Sequence, residues 1–533
     1  MQHEARWWRE AAIYQIYVRS FADSNGDGEG DLAGIRERLP HLVELGVDAI
    51  WLTPFYVSPL ADGGYDVADY RDVDPRFGTL DDFDALLKDA HEQGIRMIID
   101  VVPNHSSSEH AWFREAVAAE PGDPARARYI FRDGKGPNGE EPPNNWKSIF
   151  GGPAWTRLTR PDGTPEQWYL HLFDPGQPDF DWSHQEVHDE FDDVLRFWLD
   201  RGVDGFRIDV AHGMVKDPAL PDIDPDAKAD MLDGSTSLPY FDQDGVHEIY
   251  RRWSRIASSY EGDRALVAEA WVEDADRIAR YLRPDELHQA FNFEYLTAPW
   301  DAARLREVID RSLASNGAVG ATTTWVLSNH DVVRHVTRFG DGEQGLRRAR
   351  AATLLMLALP GSVYLYQGEE LGLPEVTDLP EEALQDPNWE RSGHTDRGRD
   401  GCRVPLPWEG EVAPYGFGPE GTKPWLPVPE KWAGLSRAAQ RGVEGSTLEL
   451  YTTALRLRRE LDALGDGSMT WLDSPEGVLY FEREPNVRVA VNMTETPVEL
   501  AASGEVLVSS GPGVEVTDGT LTLPAESATW LRV

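Results

Sequence analysis

A short run of apolar, largely β-branched residues recurs eight times between Ile13 and Tyr366, usually with a helical pattern behind it. The runs are Ile13–Phe21, Val47–Pro54, Arg96–Val102, Gly205–Val210, Ala265–Trp271, Phe291–Tyr295, Thr322–Ser328 and Ser362–Tyr366. None alternates polar with apolar. Strands buried on both faces read this way, and such strands belong to a parallel sheet. Helical spacing fills the intervals at Leu32–Leu45, Leu80–Gln93, Val187–Arg201 and Leu346–Ala358. Gly46, Gly94 and Gly202 stand where C-caps belong, and Asp81 and Asp82 suit a helix N-terminus. Eight strands alternating with helices predict an α/β fold, a (β/α)₈ barrel.

Two connections are too long for loops. More than 80 residues separate Val102 from the helix near Val187, rich in Gly, Pro, Asn and Trp. A second such stretch follows Gly368. After Gly465 the pattern changes to short β runs split by turns: Gly477–Arg483, Val487–Asn492, Val498–Ala501, Gly504–Ser509, Thr520–Leu523 and Ala528–Val533. That is the pattern of an antiparallel sandwich. The expected division is a barrel over 1–105 and 177–464, an inserted domain over 106–176, a long insertion at about 369–446, and a C-terminal β-sandwich over 465–533.

Charge narrows the partners. Lys and Arg number 51 against 93 Asp and Glu, a net of −42. A surface this acidic repels phosphate backbones and anionic lipid, so neither nucleic acid nor a membrane surface is expected as a partner. Cys402 is the single cysteine, which excludes an intrachain disulfide. Met1–Glu10 carries no apolar run or cleavage signal, and no stretch approaches the roughly 20 apolar residues of a membrane span. A cytoplasmic protein, monomer or homodimer, is the expectation.

In a barrel the reactive groups sit where strands end, at the C-terminal face. The third run ends Asp100-Val-Val-Pro-Asn104-His105, the fourth Gly205-Phe-Arg207-Ile-Asp209, the fifth Ala268-Glu269-Ala270-Trp271, and the seventh Ser328-Asn329-His330-Asp331. Three carboxylates, Asp209, Glu269 and Asp331, thus converge on one mouth with an arginine and two histidines. Glycoside hydrolysis needs a nucleophilic carboxylate, a carboxylic acid for the leaving oxygen, and support for an oxocarbenium-like transition state. Arg207 lies two residues before Asp209 on the same side of the strand, and its charge is expected to keep Asp209 ionised. Glu269 lies beside Trp271 in an apolar run, where desolvation raises a carboxyl toward a general acid's range. Singly, such residues are more often caps or structural ion pairs. Four coordinated strand ends outweigh that reading.

These segments, in this order, resemble the α-amylase family of glycoside hydrolases, in the branch of α-glucosidases and oligo-1,6-glucosidases. Gly46–Pro54 and Gly361–Gly372 resemble further common segments of the family. The resemblance covers nearly the whole chain. It implies a B domain inserted after the third strand, a β-sandwich C domain, Asp209 as nucleophile, Glu269 as acid/base and Asp331 as transition-state stabiliser. It also implies His105, Arg207 and His330 as ligands of the glucose in the −1 subsite. Asp62-Gly-Gly-Tyr65 resembles the segment whose Asp and Tyr hold and stack under that glucose, with Gly63 where the family often has Asn. Gln177-Pro-Asp-Phe-Asp-Trp182 resembles a branch signature with two substitutions. Phe173 stands where the branch places an aromatic wall. Arg403 resembles the arginine that clamps the non-reducing end.

Asp23-Ser-Asn25-Gly-Asp27-Gly-Glu29-Gly-Asp31 sets oxygens at alternate positions, which suits a hard cation such as Ca²⁺. The twelfth position is Gly34, so this is no EF-hand. Spacing alone leaves a metal loop and an acidic Gly-rich turn on equal terms. The family resemblance implies Ca²⁺, with side chains from Asp23, Asn25, Asp27 and Asp31 and the carbonyl of Glu29.

The expected activity is a retaining, exo-acting α-glucosidase on short oligosaccharides. Its alternatives are an oligo-1,6-glucosidase, a glucosyl-transferring relative, or one acting on sucrose or trehalose. Val210, after the nucleophile, does not decide the linkage. A non-catalytic binding relative would have lost strand-end carboxylates, which this chain keeps.

Overall fold

The computed structural model describes residues 6–224 and 238–533. The stretch read above for an export signal begins outside them. Eight parallel strands form the central sheet: β1 (Ala12–Ile16), β2 (Ala49–Leu52), β3 (Arg96–Val101), β4 (Gly205–Ile208), β5 (Ala265–Ala268), β6 (Gln289–Ala290), β7 (Thr324–Val326) and β8 (Ser362–Tyr366). Their order is β6-β5-β4-β3-β2-β1-β8-β7. A parallel bridge from Phe291 to Thr324 brings the two edges together, and the Asn292 amide donates to the Thr324 carbonyl at 3.0 Å. The chain is a (β/α)₈ barrel. Buried residues such as Ile13, Trp51, Ile98, Val267, Val326 and Tyr364 fill its interior.

The sixth predicted run, Phe291–Tyr295, is a correction. The strand is the two residues before it, and Phe293–Thr297 is a one-turn helix. Asn292 caps that helix, its Oδ1 accepting from the Tyr295 amide at 3.0 Å. The cap overrides the strand preference of two Phe and a Tyr. The first run is also cut short, because Val18–Ser20 turns into a 3₁₀ segment.

Between β3 and β4 lies a three-stranded antiparallel sheet of Phe131–Arg132, Pro165–Leu170 and Trp155–Thr159. Its core includes Trp146, Phe150, Trp155 and Phe173, packed with Val210 and Phe241 from beyond β4. The segment after β8 docks on the loop after β1. Phe417 O accepts from Asp23 N at 2.7 Å, and Trp425 N donates to Gly28 O at 2.9 Å. At Gly28, φ is +98°, and a Cβ would stand 2.2 Å from Lys423 O, so only glycine fits. The C-terminal residues form a five-stranded and a three-stranded antiparallel sheet. No helix among the described residues is long and apolar enough to cross a membrane.

Candidate active site

Arg207 is the hub of the mouth. It projects from β4 and is 2% exposed. Its Nη1 contacts Asp100 Oδ1 at 2.7 Å and Asp209 Oδ1 at 2.6 Å, while Nη2 lies 3.0 Å from Glu269 Oε2. Asp209 follows β4 and Glu269 follows β5, so neighbouring strand ends put both carboxyls on one guanidinium. Glu269 has two further donors: the Val210 amide to Oε2 at 2.8 Å and the Trp271 Nε1 to Oε1 at 3.0 Å.

Burial pushes the Glu269 carboxyl up, as its apolar strand predicts, against the pull of Arg207. Asp209 behaves differently from the sequence expectation. Burial and the neighbouring Glu269, Asp100 and Asp331 push it well above the carboxylate range, although Arg207 opposes them. The reason is sharing: one guanidinium serves three carboxyls. Asp100 also accepts from Trp51 Nε1 and Tyr65 Oη, and burial pushes it up to about 6.

Asp331 has cations of its own. Arg399 Nη1 and Arg403 Nη2 both reach its Oδ1 at 3.1 Å. Burial pushes the carboxyl up, but the His330 Nε2 beside it at 3.3 Å and the guanidiniums of Arg399, Arg403 and Arg207 outweigh it and hold Asp331 below the usual range. Arg399 also reaches Asp62 Oδ1 at 2.7 Å and Asp386 Oδ2 at 2.5 Å. It therefore spans the mouth from the loop after β2 to the end of β7. Arg403 sits deeper, donating to the His330 carbonyl at 2.9 Å. The arginine paired with Asp62 is thus Arg399, four residues before the one the sequence singled out.

His330 and His105 are both neutral. His330 takes a hydrogen bond on Nδ1 from Gln15 Nε2 at 2.7 Å, which turns its Nε2 to Asp331 Oδ2 at 3.3 Å. Burial holds its pKa well below the ordinary value. His105 accepts on Nδ1 from Asn104 at 3.1 Å and donates from Nε2 to Tyr65 O at 3.2 Å. Burial pushes it down to about 4. Asn104 is itself held by Lys216 Nζ at 2.7 Å, and Lys216 pairs with Asp179 at 2.8 Å. Tyr65 stacks on His330, centroids 5.2 Å apart, and Phe173 packs against His105 at 5.1 Å. Gln177 Nε2 reaches Asp62 Oδ2 at 3.1 Å, which joins the signature segment to the mouth. At Gly63, where the sequence departs from the family form, a Cβ would stand 2.7 Å from Tyr17 Oη.

The loop after β1 is organised by its own side chains. Asp23 accepts from the amides of Asn25, Gly26 and Gly28; Asn25 accepts from Asp27 N, and Asp27 from Glu29 N. Asp31 caps helix Leu32–Leu45, accepting from Gly34 N at 2.6 Å, and also bonds Ser24. The Glu29 carboxylate pairs with Arg19 at 2.8 Å. Among the described residues no group of three or more His, Cys, Asp or Glu is placed to hold a metal. An ion here would draw on Asn25 and carbonyl oxygens besides Asp23 and Asp27.

A barrel with this cluster of carboxylates and arginines at its strand ends has the architecture of a glycoside hydrolase. A family model described as the alpha amylase catalytic domain matches residues 15–467. The chain belongs to the alpha-amylase family and is an enzyme of the glycoside hydrolase class. It is 38% identical to a probable alpha-glucosidase of Rhizobium meliloti (strain 1021), over all of this chain and 98% of that one. It is also 38% identical to the trehalose-6-phosphate hydrolase of Escherichia coli (strain K12), over 88% of this chain and 86% of that one. The solved structure of an alpha-glucosyl transfer enzyme, XgtA, superposes with a TM-score of 0.89 at 39% identity, covering 99% of both chains.

Proposed function

We propose that the enzyme is a retaining, exo-acting α-glucosidase that releases α-glucose from the non-reducing end of short α-glucosides. The observation that carries this is the placement of Asp209 and Glu269 on the two terminal nitrogens of one guanidinium, opposite an Asp331 with separate arginines. In the first step Asp209 attacks C1 as the bond to the leaving oxygen breaks, and Glu269 gives its proton to that oxygen. In the second, Glu269 takes a proton from water as the water oxygen displaces Asp209 from C1. Asp331 stays ionised throughout, facing the oxocarbenium-like charge. His105 and His330, both neutral, bind sugar hydroxyls.

The bridge from Asp62 through Arg399 to Asp331 supports a pocket closed behind the −1 glucose, which leaves no room for a further sugar. Glucose is then the sole small product from maltoheptaose at early times. Early maltose or maltotriose in quantity would mean an open groove and an endo-acting enzyme. The relatives' names span hydrolysis, glucosyl transfer and a phosphorylated disaccharide, so a product assay across maltose, isomaltose, sucrose, trehalose and soluble starch fixes linkage and acceptor.

Ca²⁺ is proposed as a structural ligand of the loop after β1, through Asp23, Asn25, Asp27 and the Glu29 carbonyl. Asp31 and the Glu29 carboxylate leave the ligand set because the helix cap and Arg19 engage them. The ion would add charge balance to the loop and no chemistry at C1. The enzyme is further proposed to act in the cytoplasm as a monomer or homodimer, which fractionation and sedimentation test.

A further inference from the structure

Glu269 must be an acid in one half of the proposed reaction and a base in the other, and two groups outside the expected site residues grip its carboxyl. The first is the Val210 amide. Val210 has φ of +44°, a conformation that β-branched residues rarely adopt. That turn aims its N–H at Glu269 Oε2, 2.8 Å away. A backbone held in such a region persists only where its surroundings enforce it. The second is Trp271, whose Nε1 lies 3.0 Å from Oε1. Its indole lies flat on Phe293, centroids 3.7 Å apart and planes 7° from parallel. Beyond that pair lies a cavity of about 250 Å³, also lined by Asn292 and Asn316. The indole is buried in the core cluster inside the barrel.

We infer that Trp271, together with the Val210 amide, is a positioning residue that fixes both oxygens of Glu269 and sets the pH at which this group yields its proton. This rests on the assignment of Glu269 as acid/base. A neutral donor binds an ionised carboxylate more strongly than a protonated one, so each donor favours the ionised form. The charged and titratable groups around Glu269 are Arg207 and Asp209 from the end of β4, Asp331 from the end of β7, and the buried, neutral-favouring His212 just beyond Asp209. Trp271 is the uncharged member that a substitution can remove without altering this charge set.

Trp271→Phe keeps an aromatic ring and loses only the N–H. The basic limb of kcat/KM, which reports loss of the acid's proton in the free enzyme, should move up by about one pH unit. Phe293→Leu keeps the N–H and weakens the stack, and should leave the limb near its wild-type position. A limb that stays put in a folded Trp271→Phe enzyme overturns the inference, and so does an equal shift in Phe293→Leu, which would trace it to packing. Glu269→Gln, run in parallel on a natural disaccharide and an aryl glucoside, separates the two ideas. If that variant keeps its activity on the disaccharide, the acid assignment itself is wrong. If it loses it while Trp271→Phe leaves the limb unmoved, only the inference about Trp271 falls.

Discussion

The proposed closed end of the pocket rests on Arg399, and Arg399→Ala is the sharpest test of it. Its guanidinium bonds Asp62 at 2.7 Å, Asp331 at 3.1 Å and Asp386 at 2.5 Å. A hydrogen bond to a charged partner contributes about 1.5–3 kcal/mol. If the bonds to Asp62 and Asp331, which face the sugar, both matter in the transition state, the loss is about 3–6 kcal/mol. At about 1.4 kcal/mol per decade, kcat/KM should fall roughly 10²- to 10⁴-fold. The acid limb should hold its place, because burial pushes Asp209 well above the carboxylate range and it is protonated before Asp331 as pH falls, and Asp331 keeps Arg403 when Arg399 is gone. Arg399→Lys keeps a charge but has one nitrogen where three are used, so it should recover only part of the rate. The assay is kcat/KM against pH on maltose and an aryl α-glucoside, with a maltoheptaose time course alongside. A folded Arg399→Ala enzyme within threefold of wild type, still releasing only glucose, refutes the bridge as a working element.

Asp209→Asn should abolish turnover with the fold intact, since no covalent intermediate can form; activity above a few per cent of wild type, free of contamination, ends that assignment. The wild-type enzyme should release the α-anomer first, read by NMR, and an initial β-anomer would exclude retention. Added Ca²⁺ should raise the melting temperature and a chelator lower it, with no direct effect on the aryl-glucoside rate; no shift with either, and no metal by elemental analysis, leaves only an acidic turn. Gly63→Asn places a Cβ 2.7 Å from Tyr17 Oη, so it should cost about 1–3 kcal/mol and raise KM, measured by melting and kinetics.

The sequence made the barrel legible because parallel strands are apolar on both faces, and five of the eight runs needed trimming by only a few residues at one or both ends. Ser362–Tyr366 matched β8 end for end. Phe291–Tyr295 misled because Asn292 as a cap cannot be told from Asn292 inside a strand by composition. The strand-end carboxylates were legible because they sit at fixed offsets from those runs. Arg399 was not, since Arg397, Arg399 and Arg403 follow one another in a segment with no periodicity to rank them. The partner of Asp62 is fixed only by how that segment folds back over the mouth. In the sequence Asp31 reads as a metal ligand, and its second role as the N-cap of the helix that starts at Leu32 is not legible there, because Asp serves equally as ligand and cap. Asp100, quoted as a strand end but given no role, turns out to share Arg207.

That sharing bears on where the mechanism keeps its proton. An arginine with one carboxylate would hold it ionised, which is the argument the sequence invited for Asp209. With Asp100, Asp209 and Glu269 on one buried guanidinium, full ionisation would leave uncompensated charge in a dry site. Burial and this crowding therefore push Asp209 and Glu269 up together, and apparent pKa values of such a pair belong to both groups. Ownership within the pair is not settled by Arg207, which touches both. Glu269 receives two additional neutral donors, which favour its ionised form and weaken its hold on a proton. The proposed mechanism needs the proton on Glu269, with Asp209 free to attack. Substrate supplies the bias: positive charge growing at C1 favours an ionised Asp209, and the glycosidic oxygen offers a base beside Glu269. The proton is thus placed by the reacting sugar in a site pre-set to hold one too few charges. For that reason the two limbs of the pH profile should shift together when either partner is changed, and a variant of one that moved only its own limb would show the sites to be independent.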